Sequence, residues 1–143
     1  MTTSQRLSLH FVKVSEVDPS QCRARVRLEE LGMQSYWLPV LQYRAGNDTA
    51  YWMPSIGESV AVLLDEQGES GVVLGGVYSA ANSPLASELG VFAIASRRLT
   101  IDADVEITGT VTIQGAGNAI NGNEICVIGG TDSAGHTNQV SGQ

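Results

Sequence analysis

Apolar and polar residues alternate with period two along most of this chain, in short segments bounded by turn residues. Leu9, Phe11, Val12 and Val14 predict a strand that ends at the turn Asp18-Pro19-Ser20. Cys22, Ala24, Val26 and Leu28 then alternate with Arg23, Arg25 and Arg27, which predicts a second strand with one apolar and one cationic face. A third apolar run covers positions 37–41, and its Pro39, having no N–H to give to a ladder, confines it to an edge or a bulge. Positions 44–50 read as a polar loop. The run 59–64, Ser-Val-Ala-Val-Leu-Leu, is too short and too β-branched for a helix; after a connection punctuated by Gly68 and Gly71, positions 72–78 return as the other arm of a hairpin. Short strands so closely spaced over about 80 residues predict a small closed or sandwiched β domain.

Positions 81–98 read as a connector, with room for one helical turn at 85–89 and an apolar run at 91–95. Beyond it the texture changes. From position 99 to 113 every odd residue is apolar or glycine (Leu99, Ile101, Ala103, Val105, Ile107, Gly109, Val111, Ile113) and every even one is polar. Unbroken alternation of that length predicts an extended β segment well beyond the usual five or six residues, with Gly109 as a corner. Positions 115–123 are turn-rich, 125–128 form a last short strand, and the tail is almost all small residues.

A lone amphipathic strand exposes an apolar row and two unpaired backbone edges, and too little chain remains to cover them. Oligomerisation resolves this, because copies can turn their apolar rows to a common axis and pair their backbones with one another. Three chains are the smallest cyclic set that encloses a filled axis, which predicts an intertwined triple-stranded β-prism.

Charge sharpens the division. The chain carries 8 basic and 15 acidic residues, a net charge of −7, with 16 glycines. All eight basic residues lie at or before position 98; the 45 residues from 99 onward hold only Asp102, Asp104, Glu106, Glu124 and Asp132, a net −5, or −15 in a trimer. An acidic exterior keeps such a shaft soluble. The overall balance argues against a nucleic-acid partner, which needs a basic face, and the three strand arginines lack interleaved aromatics. Salt bridges to a neighbouring protomer or a hub protein are the expected use of those arginines. Cys22 and Cys126 stand one in each region without CxxC spacing, so free thiols are expected. No signal-peptide h-region or membrane-spanning run is present.

Candidate chemistry is sparse, and no enzyme is expected. His10 reads as a strand surface residue, and neither histidine stands near a nucleophile motif. Asp102, Asp104 and Glu106 share one strand face and read as a solvated row rather than a carboxylate site. Gly75-Gly76 and Gly115-x-Gly117 lack the strand-loop-helix context of a phosphate loop.

The segment Trp52-x-Pro54-x-x-Gly57-Glu58-x-Val60-x-Val62, followed by Gly68 and by Gly71-Val-Val-Leu-Gly75-Gly-Val-Tyr78, resembles the OB-fold signature of the phage baseplate assembly protein V family, the central spike of contractile tails. The resemblance implies an all-β chain: an N-terminal OB-fold barrel over 1–80, a connector over 81–98, and an intertwined trimeric triple-stranded β-helix, spike and tip, over 99–143. It implies a homotrimeric membrane-piercing spike whose OB collar docks on the baseplate hub and tail-tube proteins and whose tip punctures the host outer membrane. Its place would be the virion tail baseplate or a tail-like particle, assembled in the bacterial host cytoplasm. Several members of the family end in a His-x-His pair whose three copies bind iron on the axis. Here the stretch is His136-Thr137-Asn138, so one imidazole per chain remains. His136 is thus the single candidate ligand for an iron or other metal ion at the tip, without six-nitrogen octahedral binding. No cofactor is otherwise required, and a separate small protein capping the tip is a further expected partner. The alternative is a module of another class, an OB-type domain for carbohydrate or oligonucleotide that its β tail merely oligomerises.

Overall fold

The computed structural model describes residues 6–112, and the chain divides between Arg97 and Arg98 into two units. In the first unit, the strands are β1 (Ser8–Asp18), β2 (Arg23–Leu28), β3 (Met33–Gln34), β4 (Leu38–Pro39), β5 (Ser59–Leu64) and β6 (Gly71–Gly76), with a 3-10 turn at Glu29–Leu31. They form one antiparallel sheet in the order β3-β2-β1-β5-β6, with β4 also paired to β2. β1 serves both sides of it. Residues 8–13 pair with β5, residues 13–18 pair with β2, and a register shift between Val14 and Glu16 bends the strand where the roles change.

The sheet closes on itself where Val40, just past β4, bridges Val73 of β6 in parallel, and the Leu41 N–H donates to the Val73 carbonyl at 2.9 Å. The result is an all-β, OB-like sheet. Its core follows from period two: Ala24, Val26 and Leu28 from β2, Val60, Val62 and Leu64 from β5, and Val14, Leu38, Val40 and Val73 are all buried. Each such side chain contributes about 1.5–3 kcal/mol on burial. Ser35, the one buried polar side chain among the described residues, accepts a bond from the Val26 N–H at 3.0 Å and donates to the Tyr36 carbonyl at 2.8 Å. Pro39 stands exposed at a strand of two residues, as its missing N–H requires.

One local expectation changes. Residues 85–89 form no helical turn; they are exposed, follow Pro84, and are too few to sustain a helix without packing. Residues 98–112 are exposed and pair in no ladder among the described residues. Among the described residues no helix is long and apolar enough to cross a membrane.

Candidate functional site

The segment 52–78 owes its residue types to the fold. The Trp52 indole N–H donates to the Leu41 carbonyl at 2.8 Å, fixing the chain that follows β4 against the approach to β5. Buried Pro54 opens a turn in which the Ser55 N–H donates to Glu58 Oε2 at 2.8 Å, and Gly57 adopts φ +86, a left-handed conformation that glycine takes without steric cost. That turn is stitched to β1: the Gly57 N–H donates to the Val14 carbonyl at 2.8 Å and the Val14 N–H to the Glu58 carbonyl at 3.0 Å. Farther on, a Cβ on Gly71 would collide with the Leu63 carbonyl across the ladder. The motif thus supplies the bonds and turns that close the sheet.

Two of the three arginines on the cationic strand face are engaged within the chain: Arg23 pairs with Asp18 at 3.1 Å and Arg25 with Glu16 at 3.0 Å, both acids on the adjacent β1. Arg25 also donates from Nε to the Ser35 carbonyl at 2.8 Å. Both guanidiniums lie over Trp37, 5.1 and 5.8 Å from its ring centroid. Reading β2 by itself misses this aromatic, because Trp37 lies on another segment and reaches the arginines only through the pairing of β4 with β2. The Ser20 hydroxyl, Arg23 and the Gln21 N–H all bond the Asp18 carboxylate and together lower its pKa, with burial, second in size to the Ser20 bond, opposing them.

The remaining residues singled out from the sequence are scattered. His10 is half-buried on β1 beside a cavity of about 230 Å³ lined also by Leu28, Met33 and Leu64. Asp102, Asp104 and Glu106 are exposed. Among the described residues no three His, Cys, Asp or Glu side chains converge as a metal site. Cys22 is a free thiol, at φ +51, that accepts a bond from Gln42 Nε2 at 3.0 Å. His136, Cys126 and the end of the alternating segment lie outside the described residues. A larger cavity of about 600 Å³ opens beside the Ser55 turn and is lined by Ile56, Glu58, Val77, Tyr78 and Asn82.

The second unit presents the most distinctive surface. Leu99, Ile101, Val105, Ile107 and Val111, the odd positions of the alternation, are each 59–63% exposed. Among the described residues nothing covers this row, and its regularity sets it apart from a scatter of surface hydrophobics.

Comparison with known proteins agrees with the barrel. Residues 12–78 match the family model of the type VI secretion system/phage-baseplate injector OB domain. Among curated proteins, the chain is 39% identical over 59 residues to the spike protein of Escherichia phage P2, a match that spans 41% of this chain and 28% of that relative. The register shift in β1, the Trp52 clasp and the Gly57 turn all fall inside the matched span. Residues 12–78 are thus similar to a phage-baseplate injector OB domain, in agreement with the likeness to the baseplate assembly protein V family carried by 52–78.

Proposed function

We propose that this protein is a structural, spike-related component of a phage tail baseplate or tail-like particle, assembled as a homotrimer. In this reading the OB barrel forms a collar toward the hub and tube. The segment from 99 onward twines with two other copies into the shaft that is driven through the host outer membrane. The observation that carries it is the exposed row Leu99, Ile101, Val105, Ile107 and Val111 in a chain whose residues 12–78 match the injector OB-domain family model. The printed name of the phage P2 relative, a spike protein, supports the same role. Burial of five such side chains per copy about a common axis supplies the drive, and Thr and acidic residues at the even positions remain outside. The role is mechanical, and the barrel's side chains hold geometry rather than perform chemistry.

Light scattering of the full-length protein tests the reading. Three chain masses are expected; one or two would overturn it.

A further inference from the structure

The outward face of β1, β5 and β6 is not the polar face that a free-standing barrel turns to water. Leu9 pairs with Leu63 and Leu63 with Val72; one step along, Phe11 pairs with Ala61 and Ala61 with Gly75. The Phe11 ring is 69% exposed beside a floor of small residues. Gly75 adjoins a β-bulge in β6, where Ala61 pairs with Gly75 and Val62 with Val73 so that Leu74 is the extra residue, and a Cβ at Gly75 would meet nothing within 4 Å. The open space above Gly75 leaves room for another chain to approach.

The two ends of this face carry opposite charge. At one end Lys13 of β1 stands directly opposite Arg27 of β2, and neither has an acidic partner among the described residues. Like charges so paired are unfavourable in an isolated sheet. At the other end the β5–β6 turn holds Asp65, Glu66 and Glu69, with Arg6 close to the first two. The apolar middle lies between them.

We propose that this face is a contact between neighbouring copies of the chain, in which Lys13, Arg27 and Phe11 of one copy receive the acidic turn 65–70 of the next, with the incoming backbone passing over Ala61 and Gly75. The basic end and the acidic turn are different patches, so a contact of one copy's Lys13 and Arg27 with the next copy's acidic turn is heterologous, and in the homotrimer it closes as a ring of three. The inference rests on the homotrimer proposed above and assigns a second interface, in the collar, to it.

Lys13 is the only lysine in the sequence, which makes the test specific. Lys13 pairs with Ser59, six positions before Asp65, so within one chain its amine lies about 20 Å from the acidic turn along the strand. A zero-length carbodiimide link between the two therefore joins different copies. Treating the native full-length protein with carbodiimide should give a covalent trimer on a denaturing gel, with peptide mapping locating Lys13 joined to Asp65, Glu66 or Glu69. Lys13→Arg, which keeps the charge and removes the amine, should abolish that link. Phe11→Asp, at an exposed position, should lower its yield about tenfold, as removal of an aromatic anchor does. A protein that retains three chain masses but gives no Lys13 link to the turn, or links Lys13 only to carboxylates elsewhere, overturns this interface and leaves the trimer standing. A protein of one chain mass overturns both.

Discussion

Gln42 and Trp52 clasp each other through reciprocal hydrogen bonds: the Trp52 N–H donates to Gln42 Oε1 at 2.9 Å, and Gln42 Nε2 donates to the Trp52 carbonyl at 3.0 Å. The amide thus acts as a surrogate strand partner for one residue, tying the chain after β4 to the approach of β5. Gln42→Ala leaves the Trp52 backbone groups without these partners and should cost about 1–3 kcal/mol. Gln42→Glu, which keeps the acceptor and loses the donor, should fall between it and the natural protein. Denaturant unfolding followed by tryptophan fluorescence measures both.

Gly71 tests the ladder. A Cβ there would collide with the Leu63 carbonyl, and backbone cannot yield as the end of a side chain can. Gly71→Ala should therefore destabilise the barrel by about 1–3 kcal/mol, the cost of overpacking. Gly46→Ala, in open space on the polar loop, should change stability by less than about 0.5 kcal/mol. Thermal unfolding of the two variants side by side separates them.

The exposed row makes a sharper demand. If Val105 and Ile107 face a common axis, Val105→Asp or Ile107→Asp places three carboxylates together in an apolar interior, and the expected outcome is loss of the three-chain mass by light scattering. Thr108→Asp adds a charge to the even, outward set and should leave the mass unchanged.

Asp18 makes a prediction about pH. Its pKa is lowered chiefly by the Ser20 hydroxyl, which donates at 2.7 Å, with Arg23 and the Gln21 N–H adding to it. A carboxyl whose folded pKa lies below its unfolded value stabilises the fold above the ordinary aspartate value of about 3.9 and loses that contribution as pH falls through the lowered one. Because Asp18 is well solvated, the effect on stability is small. An NMR titration is the proper readout: Asp18 should titrate below an ordinary aspartate, and Ser20→Ala should raise its midpoint toward that value.

Period-two patterning alone determined β2 and its inward residues, because in a strand the face a side chain takes follows from its position. It placed β1 and β5 as strands as well, but in β1 Leu9 and Phe11 face outward while Val14 enters the core. The confinement of Pro39 to an edge was equally legible, since it depends on one residue's backbone chemistry. The alternation from Leu99 to Val111 was legible too, and its large apolar residues are exposed. Only tertiary structure decided what those faces meet. Arg23 and Arg25 of β2 find Asp18 and Glu16 in their own chain because β1 lies antiparallel beside it, and they find Trp37 because β4 pairs with the same strand. Likewise, the closing bridge between Val40 and Val73 and the opposition of Lys13 to Arg27 depend on register. A local pattern specifies which way a residue points; its partner is chosen by strands that are distant in sequence and adjacent only once the sheet has closed.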